Sequence, residues 1–445
     1  MGEGIVYTLV LDARWRELFK PELEAAEKAA EEIGGRLPVE DLFSYMVGWV
    51  ASDVAITRRR NERVLRMSTS HLWQLAETHA LFGWSVVGLR MSLTLEGPKL
   101  AVMVEAPLEN LDDAIKKSAE SGWLKMLGIK AESWEGLKQR VVENWDVVVD
   151  AAARRLGEEV RGELEALKNK LNDDKVAREV IAPALLLIQA ERLGVNETTL
   201  RYLAAVASGA IDGDGYVSAA MGMVDLTSGK HAVALLWKAA LAAHGIETEV
   251  RGTDRKLDVV ASGGGAVRLA GLYFLYGSPL LEEDERIINH KLAEAMSRGS
   301  LTLKGLEKEI EVGGRRHMVK VIDGGAVKEK QNDKTLLRIK ITAEVDGVRR
   351  DYEITYGRYG KNEARGRAYA SAEAPGGREA DAERFSALVK ALTGKEPKVY
   401  RMKNGKIIIE CYEGHLEGFM RYAELAEAIK KWLEETGRRA PSTGR

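Results

Sequence analysis

The chain has 445 residues, of which 30% are charged and 45% hydrophobic, so it is long enough for two or three domains and is not a disordered chain. Its formal net charge of −2 excludes a uniformly basic nucleic-acid-binding protein, so any such surface must be local. A single cysteine, Cys411, excludes an internal disulfide and an all-cysteine zinc site. Without a signal-peptide pattern or a membrane-length apolar run, and with few glutamines beside many Glu, Lys and Arg, the sequence predicts a cytoplasmic protein of a thermophile.

The first part of the chain predicts an α/β region followed by helices. Apolar spacing predicts two opening helices over 14–33 and 38–56. The next elements read strand, helix, strand, strand and helix, over 64–68, 70–82, 86–95, 100–105 and 111–119. From 123 to 193 the pattern is almost entirely helical, and nothing in it indicates catalysis. We therefore predict an N-terminal α/β domain at 1–125 and a helical connector at 126–195.

The stretch from Leu203 to Val217, LAAVASGAIDGDGYV, predicts a helix with one face of small residues. Such a face lets another helix approach closely, and the glycines that follow can adopt positive φ and end the helix. The helix ends at Asp212 and Asp214, where carboxylates meet the negative end of the helix dipole. A bound divalent cation would explain two carboxylates there. The alternative is an Asp-Gly turn after an alanine-rich core helix.

The order strand, helix, strand, strand, helix recurs twice after this point. The first recurrence covers 216–226, 230–245, 247–251, 257–261 and 266–276. The second covers 365–373, 379–392, 399–402, 407–411 and 416–433. Repetition of one supersecondary order predicts two similar folding units. We expect a first unit at 196–300 and a second at 301–445, the latter with a strand-rich insertion.

Positions 207–215, read ASGAIDGDG, resemble the LAGLIDADG motif of homing endonucleases, with alanines in place of both leucines. The resemblance implies an α+β fold in which a helical and αβ N-terminal region precedes a pseudo-twofold αβαββα pair with an extended antiparallel sheet. It implies that two motif helices pack across the pseudo-twofold axis and that the second Asp of each binds a catalytic metal over DNA. Asp214 stands at that position, Asp212 is the other candidate catalytic carboxylate, and Mg²⁺ is the cofactor expected of an active enzyme. Family members usually have a hairpin before the second helix, where this chain predicts a single strand.

The helix that should head the second unit is predicted at 283–298. If Gly299 corresponds to Gly215, then Arg298 takes the place of Asp214, and a cation replaces the second carboxylate. We expect Asp214 and Arg298 to face each other across a helix interface and to form an ion pair. The expected consequence is a scaffold whose nuclease activity is weakened or lost.

A strand-rich segment at 301–359 and the strand that follows it predict a basic sheet face. Polar and apolar residues alternate from Leu337 to Glu344, so that one face is basic and the other buried. Such a face suits duplex DNA, with cations on phosphates and a few side chains on base edges. The predicted DNA-contacting residues are Arg338, Lys340, Arg349, Arg350, Arg365, Arg367 and Tyr369. The alternative is a set of solvated strands, whose interspersed glutamates dilute the basic charge.

Three longer stretches resemble the crenarchaeal PaREP repeat-family proteins of the second group, type b. They lie at 65–100, 185–205 and 269–295 and include LRMSTSHLWQLAETHALFGW, LLLIQAERLGVNETTLRYLAA and LAGLYFLYGSPLLEEDERI. These proteins are multicopy and have no assigned role. The resemblance therefore implies a mobile-element derivative and little about chemistry.

The sequence leaves three functions open. The first is DNA binding on a LAGLIDADG-like scaffold with weakened or lost nuclease activity, by a monomer whose partner is double-stranded DNA and which does not bind a membrane. The second is an active metal-dependent, site-specific endonuclease, formed when two chains pair and bring two Asp214 residues together. The third is a non-catalytic scaffold that docks a protein partner through its N-terminal helical half.

Overall fold

A computed structural model describes residues 6–9, 24, 28–29, 41–59, 62–94, 97–253, 256–276, 287–297, 299–331, 334–359 and 364–437. These residues form a mixed α+β protein with three antiparallel sheets, which confirms the predicted class. The chain divides into two compact units, Met1–Glu294 and Ala295–Arg445. We call them the N-terminal and the C-terminal unit.

The N-terminal unit begins with an edge strand and a repeat of the order αββαββα. The elements are β1 (Val6–Leu9), α1 (Leu42–Ser52), β2 (Ala55–Arg59), β3 (Glu62–Thr69), α2 (Leu72–Phe82), β4 (Ser85–Thr94), β5 (Gly97–Pro107) and α3 (Glu109–Ser121). The strand order in the sheet is β1-β4-β5-β3-β2. Helix α1 begins at Asp41, whose side chain accepts a hydrogen bond from the N–H of Phe43 at 3.2 Å.

Five α-helices connect this repeat to the next one. They are α4 (Trp123–Met126), α5 (Trp134–Glu143), α6 (Trp145–Leu156), α7 (Arg161–Lys168) and α8 (Asp174–Leu193). Trp123, Trp134 and Trp145 are fully buried, as expected for large apolar residues at helical spacing. Within the part of the chain that the structure describes, no helix is both long and apolar enough to cross a membrane.

The second repeat has the same order, αββαββα. Its elements are α9 (Glu197–Asp212), β6 (Tyr216–Ser218), β7 (Met223–Ser228), α10 (His231–Ala243), β8 (Glu249–Thr253), β9 (Lys256–Ser262) and α11 (Gly263–Tyr276). The single strand predicted at 216–226 is a hairpin, because Gly222 takes a positive φ of 60° and turns the chain between β6 and β7. The strand order β6-β7-β9-β8 matches the order β2-β3-β5-β4 of the first repeat. The repeat that matches 196–276 therefore lies upstream, within 42–121.

The two repeats meet where α1 crosses α9. A Cβ atom placed on Gly48 would lie 2.0 Å from the carbonyl oxygen of Val206, and one placed on Gly209 would lie 2.1 Å from that of Tyr45. The contact is reciprocal. Gly48 lies three residues after Tyr45 in α1, and Gly209 lies three residues after Val206 in α9. Only glycine permits backbones to approach this closely. The small face predicted for α9 does pack against a helix, and that helix is α1.

The segment predicted to supply the second motif helix reaches the end of α9 but is not its close-packing partner. Of the residues described within 283–298, only His290–Ala295 form a helix, α12. The correction has a physical reason: Gly48 lets α1 occupy the small face of α9, so a helix at 283–298 is not its close partner. Arg298 lies outside the described residues, and so does the predicted ion pair between Arg298 and Asp214.

The C-terminal unit is a seven-stranded antiparallel sheet with helices packed against it. The strands are β10 (Glu307–Val312), β11 (Arg315–Gln331), β12 (Lys334–Val345), β13 (Val348–Tyr359), β14 (Arg365–Tyr369), β15 (Lys398–Arg401) and β16 (Ile407–Cys411), in the order β10-β11-β12-β13-β14-β16-β15. The helices are α13 (Gly377–Thr393), α14 (Glu413–Phe419) and α15 (Ala423–Thr436). Tyr352 packs on Phe385 of α13 and Tyr356 on Trp432 of α15, with ring centroids 4.9 and 6.2 Å apart. The opposite sheet face carries most of the predicted basic residues.

Candidate functional site

Each crossing helix of the N-terminal unit is followed by an aspartate that precedes a strand. Asp53 lies between α1 and β2, and Asp214 lies between α9 and β6. Each stands five residues after the glycine of its helix, Gly48 or Gly209. The two carboxylates therefore occupy equivalent positions in the two repeats.

The two helix ends touch beside these carboxylates. A Cβ atom placed on Gly213 would lie 3.2 Å from Cβ of Asp53. Asp53 is half-buried and Asp214 is exposed. Burial, and then the negative charge of Asp214, raise the pKa of Asp53 to about 7, while the cations Lys291 and Arg178 oppose the shift. Burial and the carboxylate of Asp214 thus both disfavour the ionised form of Asp53.

Lys291 caps the end of α9. Its Nζ donates hydrogen bonds to the carbonyl oxygens of Ile211 at 2.8 Å, of Asp212 at 3.1 Å and of Gly213. The last carbonyls of a helix lack partners within it and carry the negative end of its dipole, so an ammonium group is favourable there. Burial lowers the pKa of Lys291, and the nearby carboxylates of Asp212 and Asp53 oppose that change.

Asp212 lies inside the N-terminal unit. Its fully buried carboxylate accepts hydrogen bonds from the hydroxyls of Tyr45 and Tyr273 and from Nδ2 of Asn289, the last at 2.8 Å. Burial raises the pKa of Asp212, and these hydrogen bonds oppose the shift. The sequence analysis predicted Asp212 as catalytic together with Asp214. A side chain without exposed surface cannot contact a substrate, so the structure corrects this role to that of an internal acceptor.

Sequence reasoning missed three side chains at this site, which are Asp53, Lys291 and Asn289. Asp53 did leave a signal, because its spacing from Gly48 repeats the spacing of Asp214 from Gly209. The other two reach the end of α9 from more than 70 residues downstream, as the separations in their hydrogen bonds show. Contacts over such distances along the chain leave no local pattern.

The sheets of the two repeats differ in the charge of their outer faces. On the first sheet, the buried Glu105 accepts hydrogen bonds from Nη1 of Arg59 at 3.0 Å and from Nε of Arg66 at 2.7 Å. On the second sheet, strand register places four residues on one face: Tyr216, Asp225, Glu249 and Asp258. Arg251 offsets part of this charge by pairing with Glu249 at 2.9 Å. Of the acidic residues on this face, Glu249 is exposed and Asp225 is buried.

In the C-terminal unit, most predicted DNA-contacting residues share one open face. Register aligns Arg338 with Thr355 and Thr355 with Arg367. Alternation along the strands adds Lys340, Arg349, Arg365 and Tyr369. Arg350 differs because it is adjacent to Arg349 in β13 and so points to the opposite face. There its guanidinium pairs with the fully buried Asp381 of α13.

Ion pairs neutralise much of this open face. The pairs are Arg338–Glu329 at 2.9 Å, Arg338–Glu353 at 3.2 Å, Lys340–Asp351 at 2.7 Å and Arg367–Glu410 at 2.7 Å. Arg365 lies 4.0 Å from the same Glu410. A duplex would have to compete with these carboxylates for the cations. Contact between these residues and DNA stays a prediction.

Asp53 and Asp214 are the candidate ligands for a divalent cation. Among the described residues, no three His, Cys, Asp or Glu side chains come together in a geometry suited to a metal ion. A cation at the pair would therefore complete its shell with water or with the oxygens of a bound phosphate. Carboxylate, water and phosphate oxygens are the ligands that Mg²⁺ takes in such sites. The donor set fits Mg²⁺.

Asp53→Asn is expected to change how stability depends on pH. Because the pKa of Asp53 is about 7 in the folded protein against an ordinary 3.8, the folded state holds a proton over a range in which the unfolded chain has released it. Its contribution to stability is present at low pH and is lost as the pH rises toward 7. Urea unfolding at pH 5 and pH 7.5 should show a smaller loss of stability for the variant than for the wild type. Equal losses would contradict the raised pKa of Asp53.

No protein-family model matches this chain, and comparison with curated protein sequences finds no match either. The function is therefore argued from the site itself: two equivalent helix ends, two carboxylates and one capping lysine.

Proposed function

We propose that the N-terminal unit is a LAGLIDADG-like scaffold that binds duplex DNA and holds a divalent cation between Asp53 and Asp214. One observation carries this proposal. Two αββαββα repeats with the same strand order cross at Gly48 and Gly209. In each repeat an aspartate follows five residues after that glycine. This pairing would supply a second carboxylate, Asp53. The sequence analysis expected that carboxylate at position 298, where an arginine stands instead.

The charge balance at the pair supports a cation there. The raised pKa of Asp53 reflects burial and an acidic neighbour, and a divalent ion would lower it by favouring the ionised form. Lys291 lies close enough to affect the same carboxylates, but its Nζ is held by backbone carbonyls of α9. When bound, the cation would supply Lewis-acid stabilisation of a phosphodiester and of its leaving oxygen. Asp53 and Asp214 would hold it, and Lys291 would keep the end of α9 in place.

The charges on the sheets point to weak and one-sided DNA binding. Arg59 and Arg66 offer two cations on the first sheet against the one buried Glu105, whereas the exposed Glu249 adds a negative charge on the second sheet. We therefore propose slow nicking of one strand rather than efficient double-strand cleavage. The resemblance to PaREP proteins fits a mobile-element derivative of such an enzyme, and that origin is part of the proposal.

The test is nicking of a supercoiled plasmid in Mg²⁺ or Mn²⁺. Asp53→Asn and Asp214→Asn should each lower the nicking rate by about 100-fold or more, since metal-ion stabilisation contributes several kcal/mol. Asp146→Asn is the matched control, because this carboxylate is exposed on α6 and pairs only loosely, at 3.3 Å, with Lys168. Cation-dependent nicking that survives in both site variants would contradict the proposal.

A non-catalytic interaction scaffold is the second candidate. The ion-paired cations of the C-terminal sheet and the acidic face of the second repeat favour it, because both reduce attraction for DNA. Titration of a labelled duplex across a salt series separates the two functions. Salt-sensitive binding supports the DNA-binding scaffold, and absence of binding at low salt supports the interaction scaffold.

A further inference from the structure

We propose that the open face of the C-terminal sheet binds single-stranded nucleic acid, by stacking bases on Tyr369 and Tyr400 and contacting phosphates through Arg365, Arg367 and Lys398. This inference stands independently of the carboxylate site in the N-terminal unit. We call these five residues and Glu410 the tyrosine–arginine platform.

Strand register places the platform in two rows that cross three strands. In one row Tyr369 of β14 pairs with Ile408 of β16, which pairs with Tyr400 of β15. In the next row Arg367 of β14 pairs with Glu410 of β16, which pairs with Lys398 of β15. Two strand spacings separate the tyrosines, or about 10 Å. An aromatic row therefore runs beside a basic row on one face.

The tyrosines are accessible although the unit is well packed. Tyr369 is 50% exposed and Tyr400 is 42% exposed. A single exposed aromatic side chain is ordinary, but a group of them marks a surface that can bind a partner, and here two stand in one row. Both rings are fixed on strands, so little conformational freedom is lost when a base stacks on them.

Glu410 offsets one positive charge of the platform and holds Arg365 and Arg367 beside it. It is only 3% exposed and binds Arg367 at 2.7 Å, with Arg365 at 4.0 Å. The hydroxyl of Tyr412 donates to the same carboxylate at 2.5 Å. One buried acid thus positions two guanidinium groups, and Lys398 adds a third cation to the same three strands. The local charge favours an anionic ligand.

Guanidinium groups of the platform also lie over aromatic rings. Arg367 is 4.1 Å from the ring centroid of Tyr359, and Arg365 is 5.6 Å from that of Tyr412. A pocket of about 310 Å³ opens beside Arg367 and Tyr369, and Arg338 and Arg358 contribute to its lining. Cations alternating with aromatic rings suit a ligand that alternates phosphates and flat bases.

A single strand fits this face better than a duplex. The base faces of a duplex are stacked inside it, so exposed tyrosines gain nothing from it, whereas a single strand can place its bases on them. Known RNA-binding modules stack two or three bases on exposed aromatic residues of an antiparallel sheet. Here the two tyrosines lie on β14 and β15, with β16 between them.

The test uses the full chain and a fluorescein-labelled oligothymidylate of about 20 nucleotides, with binding measured by fluorescence anisotropy at low and moderate salt. Tyr369→Ala and Tyr400→Ala should each weaken binding roughly five- to 100-fold, the range expected for loss of one stacked base. Tyr369→Phe should retain binding, because stacking does not need the hydroxyl. Tyr216→Ala is the matched control, since Tyr216 is 48% exposed on a sheet of the N-terminal unit.

The outcomes separate this proposal from the carboxylate site. Binding of the oligonucleotide should persist in EDTA, which removes any cation from Asp53 and Asp214, so a failure of the carboxylate site would not be mistaken for a failure of the platform. Binding that is weakened by the alanine variants of Tyr369 and Tyr400, and not by that of Tyr216, supports the platform. Affinity unchanged in both platform variants would overturn it, and so would no binding at low salt, which would indicate a protein partner for this face.

Discussion

Replacing Gly209 with alanine is expected to destabilise the N-terminal unit by about 3 kcal/mol or more, beyond the usual cost of an overpacked core. The added Cβ would lie 2.1 Å from the carbonyl oxygen of Tyr45 and 2.9 Å from the backbone nitrogen of Trp49. Both are backbone atoms of α1, which cannot rotate away as a side chain can. The helices would have to separate, and the ends that carry Asp53 and Asp214 would separate with them.

Gly271→Ala is the matched control for this experiment. Gly271 lies in α11 of the same unit, and a Cβ atom there meets nothing within 4 Å. Alanine is favoured over glycine in a helix by about 1 kcal/mol, so this variant should be slightly more stable than the wild type. Urea unfolding followed by tryptophan fluorescence reports on the right unit, since eight of the nine tryptophans lie within Met1–Glu294. Similar stabilities of the two variants would show that α1 and α9 do not cross closely.

The sequence predicted both crossing helices, since the helix predicted at 38–56 contains α1, but it identified only α9 as a crossing helix, for a physical reason. Helix α9 is recognisable from the sequence, because small residues, glycines and two aspartates occur together in ASGAIDGDG at its end. Helix α1 reads MVGWVASDV over 46–54, with bulky residues on most positions. Only Gly48 and Asp53 are needed at the crossing and at its end. A single glycine and a single aspartate are too common to mark a motif.

The sheet of the C-terminal unit shows what the alternation of polar and apolar residues can predict and what it cannot. Alternation in β12 correctly predicted a polar face with Arg338 and Lys340 and a buried face beside them. The same rule separates Arg349 from Arg350, which the sequence analysis grouped together as DNA contacts. Alternation does not say which carboxylates will pair with the arginines, because Glu410 reaches Arg367 from a strand 43 residues away. The charge balance on a sheet face depends on the order of the strands, and local sequence patterns do not predict that order.

Asp212→Ala is expected to cost the N-terminal unit about 3 kcal/mol or more. The substitution removes one acceptor and leaves three buried donors, the hydroxyls of Tyr45 and Tyr273 and the amide of Asn289, without it. Each buried polar group left unpaired costs about 1–3 kcal/mol, and the missing carboxylate also leaves a cavity. Urea unfolding at pH 7 measures the loss directly.

Asp212→Asn should be far milder and separates hydrogen bonding from charge. The amide keeps one oxygen for Asn289, and its nitrogen can donate to a tyrosine hydroxyl oxygen, so the cost should stay within about 1 kcal/mol. Because burial raises the pKa of Asp212, the folded protein holds a proton there that the unfolded chain releases, and wild-type stability falls as the pH rises above the ordinary value of 3.8. The asparagine variant should lack that fall and gain on the wild type toward neutral pH. If alanine and asparagine destabilised the unit equally, Asp212 would act through its charge on Lys291, and the hydrogen-bond account of this core would be wrong.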